Sequence, residues 1–188
     1  MILLGVFLAV VVVLGLFVIA LYNGMVRGRN LAEEAWSGIS VQLKRRHDLI
    51  PNLVNVVKGY AAHESEVLEA VTRARAASVE LSKSSDVRAV GEAEKGLSAA
   101  LGRLFAVAEN YPQLKANENF LHLQQTLSDT ENEIQLARRY YNGASRDQNN
   151  RIQTFPANLI AGSFGFRKFE YFELDNESER EVPQVSFQ

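Results

Sequence analysis

Side chains that could carry out chemistry are few and widely spaced along the chain. The 188 residues include three histidines, His47, His63 and His122, and no cysteine. Without cysteine, thiol catalysis, disulfide bonds and cysteine-ligated zinc or iron–sulfur sites are excluded. Glu118 and His122 are four residues apart, not three as in the Glu-x-x-His motif of di-iron bundles, and the pair has no second copy. We therefore expect the histidines to be surface or interhelix polar groups rather than metal ligands.

Sequence motifs that would indicate catalysis or nucleic-acid binding are also missing. The chain has no H-E-x-x-H, no phosphate-binding glycine loop and no G-x-S-x-G. We therefore expect no enzyme activity, no metal and no cofactor. Lys and Arg number 20 against 22 Asp and Glu, a formal net charge of −2, which argues against a nucleic-acid partner.

Polar residues close to the apolar helix faces are expected to have structural roles. Asp48, near Arg45 and Arg46, predicts a local ion pair, and Asn52 and Asn55 predict buried polar groups that fix the helix register. The run 138–142 points all round a helix, so its two tyrosines are expected inside and its arginines against carboxylates such as those at 131 and 133. The structural polar candidates are Asp48, Asn52, Asn55, Arg139 and Tyr141.

The N-terminal segment is the most distinctive element that could position these groups. Residues 1–21 are apolar apart from Gly5 and Gly15, and the first charged side chain is Arg27. About 20 apolar residues in a helix span the roughly 30 Å of hydrocarbon in a bilayer. A cleaved signal peptide would need a basic start and a small-x-small cleavage site, and neither is present. Residues 1–25 are therefore predicted to be an uncleaved anchor, with Tyr22 at the membrane interface.

Positive charge follows the anchor rather than preceding it. Arg27 and Arg29 come soon after the apolar run, and Lys44–Arg46 lie further on. The excess of Lys and Arg on the cytoplasmic side of membrane proteins then places the N-terminus outside and residues 26–188 in the cytoplasm.

The part of the chain after the anchor is predicted to be helical. Apolar residues recur at helical spacing in four stripes, within 31–57, 67–74, 97–108 and 120–144. Asp86 is a plausible N-cap, and Pro112 follows the end of a helix. One-sided stripes bury against each other. The predicted fold is therefore all-α: an N-terminal transmembrane helix and an antiparallel four-helix bundle over 26–155.

The end of the first bundle helix leaves three alternatives. The helix could turn near Pro51, turn near Gly59–Glu64, or run on to residue 82; the second is favoured because the apolar stripe continues through Pro51. An up-down-up-down path would return residue 152 to the membrane end and bring Phe164 and Phe166 there. A continuous rod to residue 82 would leave both far from it.

The chain after Pro156 differs in composition from the bundle. Five of the ten phenylalanines lie between residues 155 and 172. Residues 156–174 are expected to form an aromatic strap docked on the bundle, or alternatively an interface with a neighbouring subunit or with lipid headgroups. Residues 175–188 begin with four acids and one base in seven residues, and they are predicted to be a flexible acidic tail.

Many ordered matches show that the chain resembles the LemA family of bacterial membrane proteins. The similarity covers about 22–172. It includes Tyr22–Asn23, Ala35–Ile39, Val41–Arg46, Asp48–Val54, Val57–Ala61, Glu109–Pro112, Tyr141–Asn142, Phe155–Pro156 and Tyr171–Glu173. The resemblance implies a single-pass protein of the bacterial inner membrane, with a short outer N-terminus and a cytoplasmic helical bundle. Magnetosome-associated relatives imply a role in membrane organisation, and no reaction is implied.

Two functions follow as hypotheses. The first is a membrane-anchored scaffold that forms homo-oligomers in the bilayer and binds further proteins of unknown identity. Small residues allow close helix approach in membranes. The residues proposed for oligomer or membrane-interface contacts are Gly5, Ala9, Tyr22, Gly24, Gly28, Phe164 and Phe166. The alternative is an enzyme or ligand carrier that uses a cavity in the bundle.

Overall fold

A computed structural model describes residues 2–173, which are almost entirely helical and contain no strand. The helices are α1 (Ile2–Tyr60), α2 (Ser65–Leu81), α3 (Val87–Ala108), α4 (Pro112–Lys115), α5 (Glu118–Gln153) and α6 (Asn158–Ala161). The all-α fold predicted from the stripes is confirmed. The predicted acidic tail 175–188 and residue 174 of the predicted strap lie outside the described residues.

The first helix is continuous from the apolar run into the bundle. It passes through Pro51 and ends at Tyr60, and Ala61–Glu64 form the turn to α2. The predicted turn near Gly59–Glu64 is confirmed, and the alternatives of a turn at Pro51 or a helix to residue 82 are wrong.

Local capping groups define the starts of the later helices. The side chain of Asp86 accepts a hydrogen bond of 3.0 Å from the Ala89 N–H, which confirms the predicted N-cap. Pro112 opens α4, where a missing N–H costs nothing. The Asn117 side chain accepts a hydrogen bond of 3.0 Å from the Phe120 N–H at the start of α5.

The described residues divide into two compact units. One unit, 40–138 with 172–173, contains the second part of α1, all of α2, α3 and α4, and the first part of α5. Its buried core includes Ile50, Leu53, Val57, Val71, Leu97, Leu104, Leu114 and Phe120. We call it the bundle unit. Phe172 is buried against Gly91, where an added Cβ would lie 2.8 Å from the Glu173 carbonyl oxygen.

The other unit, 2–39 with 139–171, contains the apolar part of α1, the end of α5 and α6. We call it the anchor unit. Its two long helices are antiparallel, because Trp36 packs on Tyr141 with ring centroids 5.2 Å apart while Met25 packs with Ile152. Residue 152 thus returns to the end of the apolar run, as the up-down-up-down path predicted.

The chain after α6 packs on the helices of the anchor unit. The Asn149 amide donates a hydrogen bond of 2.9 Å to the Phe169 carbonyl and accepts one of 2.8 Å from the Phe169 N–H. The Tyr141 hydroxyl donates one of 2.9 Å to the Glu170 carbonyl. The exact domain boundaries suggested by the sequence stay a prediction.

Two leucines, one buried in the core of the bundle unit and one exposed, allow a matched test of that core. Leu104 is fully buried and Leu121 is 50% exposed. Leu104→Ala should lower the free energy of unfolding by about 2–5 kcal/mol because it leaves a cavity. Leu121→Ala should change it by less than about 0.5 kcal/mol. Chemical denaturation of the detergent-solubilised chain, followed by circular dichroism, measures both, and equal effects would contradict the assigned core.

Candidate functional site

The apolar part of α1 exposes nearly all its side chains. Between residues 2 and 21, Val18 and Leu21 are partly buried and every other residue is exposed. Within residues 2–173, α1 is the one helix long and apolar enough to cross a membrane. Gly5 and Ala9 lie on this exposed segment, and the space around a Cβ added at Gly5 is open. This part of the chain therefore suggests a single-pass anchor.

An aromatic cluster surrounds the residue that follows the apolar run. The Tyr22 ring lies 5.0 Å from the Phe164 ring and 5.7 Å from the Phe166 ring, measured between centroids. The guanidinium of Arg29 lies 5.7 Å from the centroid of Phe166, within cation–π range. The structure thus brings together three of the interface candidates, and the prediction that would leave Phe164 and Phe166 far from the anchor is wrong.

Gly24 and Gly28, which follow the apolar run 1–21, have neighbours in their own chain. A Cβ added at Gly28 would overlap the side-chain oxygen of buried Gln148. The carbonyl of Gly24 accepts a hydrogen bond from Arg151. The missing side chain of Gly28 thus makes room for α5, and a contact between neighbouring anchors at these glycines stays a prediction.

A second site, which the sequence did not predict, is a buried polar cluster inside the bundle unit. Its centre is the carboxylate of Glu94 on α3, which is fully buried. Arg46 Nη1 donates to Glu94 Oε2 over 2.9 Å, and His47 Nε2 lies 2.7 Å from Glu94 Oε1. Ser78 Oγ on α2 also donates to Oε1 and lies 2.8 Å from His47 Nε2. One carboxylate thus joins three helices.

The outer side of this cluster is completed by two further groups. Arg46 Nη2 donates to Ser98 Oγ over 2.6 Å and lies 3.3 Å from Glu131 Oε2 on α5. Arg46 is therefore shared between a buried and a partly exposed carboxylate. A guanidinium can serve both because its donors form a rigid planar fork.

The electrostatics of the cluster favour an ionised Glu94. Burial alone would raise the pKa of this carboxyl. Hydrogen bonds from His47 and Ser78 and the charge of Arg46 outweigh burial and hold the pKa below its usual value. The cluster therefore contains a buried carboxylate whose charge is compensated.

Pro51 explains a further contact at the edge of the cluster. Proline has no N–H, so the carbonyl of His47, four residues earlier, receives no helical hydrogen bond from it. Arg75 Nε on α2 donates to this carbonyl over 2.7 Å. This hydrogen bond gives the carbonyl a partner and joins α2 to α1 beside Pro51.

Two of the polar candidates have a different environment from the predicted one. Asn52 and Asn55 are exposed, so the prediction that they are buried is wrong. The helical turn places Ile50, Leu53 and Val57 inward instead, and the two asparagines lie between these positions.

The remaining polar candidates, Asp48, Arg139 and Tyr141, lie in different environments. Asp48 forms its ion pair with Lys44 over 2.6 Å, not with the neighbouring arginines, and the hydrogen bond from Lys44 lowers its pKa. Tyr141 is buried, whereas Arg139 and Tyr140 are exposed, so only one of the two tyrosines packs inside as predicted. The carboxylate of Glu131 pairs with Arg46 of α1.

The sequence does contain a signal for the missed cluster. Glu94 lies in register with Val90, Leu97 and Leu101 on the buried stripe of α3, and His47 lies between Leu43 and Ile50 on that of α1. A charged or polar residue at a core position of a helical stripe predicts a buried polar contact, although not its partner.

Cavities in the bundle unit bear on the alternative of a ligand carrier. An open groove of ≈ 380 Å³ is lined by Arg46, Phe105, Gln124 and Glu131, among others. Among residues 2–173, no three His, Asp or Glu side chains are grouped as metal binding would require. Neither observation identifies a ligand or a reaction for the groove, so the ligand-carrier hypothesis stays a prediction.

Taken together, the helices and the exposed apolar segment define a class of protein: a helical-bundle protein with one N-terminal helix that suggests single-pass membrane anchoring. A family model described as the LemA family matches residues 35–187. The chain therefore belongs to the LemA family.

Three curated relatives are similar over most of this chain. Magnetosome protein MamQ 1 of Paramagnetospirillum magneticum is 28% identical over 175 residues, which cover 81% of this chain and 64% of the relative. Magnetosome protein MamQ of Magnetospirillum gryphiswaldense is 28% identical over 174 residues, 80% of this chain and 64% of the relative. Protein LemA of Metamycoplasma hominis is 30% identical over 141 residues, which cover 74% of this chain and 63% of the relative. The matches thus span less than two thirds of each relative.

The buried cluster predicts a strong and specific effect of neutralising Glu94. Glu94→Gln should lower the free energy of unfolding by about 3–5 kcal/mol because Arg46 loses a buried charged partner. Glu80→Gln removes an exposed carboxylate that pairs with Lys83 over 3.0 Å and should cost less than about 1 kcal/mol. Denaturant unfolding of both variants in detergent provides the comparison.

Comparison of wild type with Glu94→Gln at several pH values tests the direction of the Glu94 pKa shift. Because the folded pKa of Glu94 lies below its unfolded value, its stabilising effect is present above that unfolded value, about 4.3, and is lost as the pH falls through the folded one. The difference in unfolding free energy between wild type and Glu94→Gln should therefore shrink as the pH drops below about 4. A difference that grows on acidification would contradict the assignment.

Proposed function

We propose that this protein is a membrane-anchored scaffold that assembles with copies of itself through the apolar part of α1. The single observation that supports this best is that every residue from 2 to 17 is exposed. Such a surface is stable only in contact with lipid or with other apolar helices. The proposal assigns no reaction to the chain.

Small residues on the exposed helix support contact between neighbouring anchors. Gly5 and Ala9 are four residues apart and lie on one face, and both are exposed. In a bilayer, where lipid tails are as apolar as leucine, close backbone approach at such positions drives helix association. We therefore assign the self-contact to this face.

Orientation and cellular role form the second part of the proposal. The arginines at 27 and 29 support an outer N-terminus and a cytoplasmic bundle in a bacterial inner membrane. Two relatives are named magnetosome proteins, which supports a role in organising a membrane or a complex bound to it.

Self-association can be tested with two matched double variants. Gly5→Leu with Ala9→Leu enlarges the proposed contact face and should shift the particle toward one copy. Val11→Leu with Gly15→Leu enlarges two exposed positions that are also four residues apart but lie on a different face of the helix, and it should leave the copy number unchanged. Mass photometry and crosslinking of the full chain in detergent count the copies.

Each outcome of this comparison is decisive. A wild-type particle with one copy contradicts self-association itself. Loss of assembly in both double variants, or in neither, contradicts the assignment of the contact to Gly5 and Ala9.

A further inference from the structure

Exposed apolar side chains are concentrated where α5 ends and the chain turns into α6. Phe155 is 74% exposed, Leu159 69% and Phe164 51%. We call these three residues the apolar tip. A soluble surface rarely groups large apolar side chains in this way unless the surface binds something.

The antiparallel packing of α5 on α1 determines how far along α1 the tip lies. Gly28 faces Gln148, and three residues closer to the anchor Met25 packs with Ile152. Each step toward the end of α5 is therefore a step toward the apolar run of α1. The tip, which follows residue 153, lies beyond the level of Met25.

Contacts of α6 place it beside the end of the apolar run. Ala157 and Ala161 are buried in the same cluster as Met25, and Leu21 packs against that cluster. Val18 and Leu21 are the two partly covered residues of the segment 2–21. The tip is therefore level with the last turn of the segment that contacts hydrocarbon if α1 crosses the membrane.

The charges near the tip complement an anionic lipid surface. The segments 22–32 and 148–169 contain five basic residues and no acidic one, although the whole chain has a net charge of −2. The basic residues are Arg27, Arg29, Arg151, Arg167 and Lys168. Basic residues next to a membrane span are attracted to anionic headgroups.

We propose that the apolar tip inserts into the interface of the bilayer leaflet in which α1 ends, with anionic phospholipid as the partner. Phe155, Leu159 and Phe164 enter the boundary between headgroups and acyl chains, and the surrounding basic residues contact the phosphates. The protein then touches the membrane at two places, the anchor and the tip. This inference rests on the anchoring part of the proposed function.

Tryptophan fluorescence in the full chain can measure the depth of the tip. Trp36 is the only tryptophan, so Trp36→Phe gives a background without indole emission. On this background, Phe155→Trp and Leu159→Trp report on the tip. The probe is a vesicle of phosphatidylglycerol and phosphatidylcholine with bromine on the acyl chains near the headgroup. We expect blue-shifted emission and strong quenching for both variants.

Two control positions separate this inference from the anchor itself. Tyr140→Trp places the indole on an exposed site of α5, roughly 20 Å before the end of that helix by helix rise, and should remain unquenched. Phe7→Trp reports on the anchor and should be quenched.

The outcomes distinguish the two claims. If Phe7→Trp is quenched while both tip variants behave like Tyr140→Trp, the tip insertion is wrong and the anchor stands. If Phe7→Trp is unquenched, the anchor fails and the inference fails with it. Replacing phosphatidylglycerol with phosphatidylcholine should weaken quenching at the tip but not at Phe7→Trp, and an unchanged tip signal would contradict the anionic partner.

Discussion

A backbone that enters hydrocarbon has to satisfy its own hydrogen bonds, and this constraint governs the apolar part of α1 if that segment crosses a membrane. No water is available there to bind a free N–H or C=O, so an isolated span has to be helical. In this chain the helix that meets the constraint continues from Ile2 to Tyr60 and also supplies core residues to the bundle unit. The apolar segment and the first bundle helix are therefore one element, and α5 packs back along it in the anchor unit.

Glu94 imposes a second requirement, inside the bundle unit. A buried carboxylate is tolerated only when its charge and its hydrogen bonds are compensated. Arg46 and His47 of α1 and Ser78 of α2 supply that compensation, and Arg75 satisfies the carbonyl that Pro51 leaves open. We infer that the cluster specifies the register of α1 against α2 and α3, because apolar contacts alone tolerate small shifts.

Regularities within a single segment were predictable from the sequence, and side-chain partners across segments were not. The stripes predicted the helices, and local chemistry predicted the N-cap at Asp86. Asn52 and Asn55 were misplaced because one residue along a helix rotates a side chain by about 100°, and proximity to a stripe does not decide the face. The Glu94 cluster was missed because the hydrogen-bonded pairs around Glu94 come from different helices and are 16 to 48 residues apart.

Labelling of single cysteines in intact cells tests most directly whether α1 crosses the membrane, and the chain has no cysteine of its own to interfere. Ile2→Cys and Ser85→Cys would each be treated with a membrane-impermeant thiol reagent. The account predicts that Ile2→Cys reacts in intact cells and that Ser85→Cys reacts only after the membrane is opened. Reaction of Ser85→Cys in intact cells would contradict this orientation.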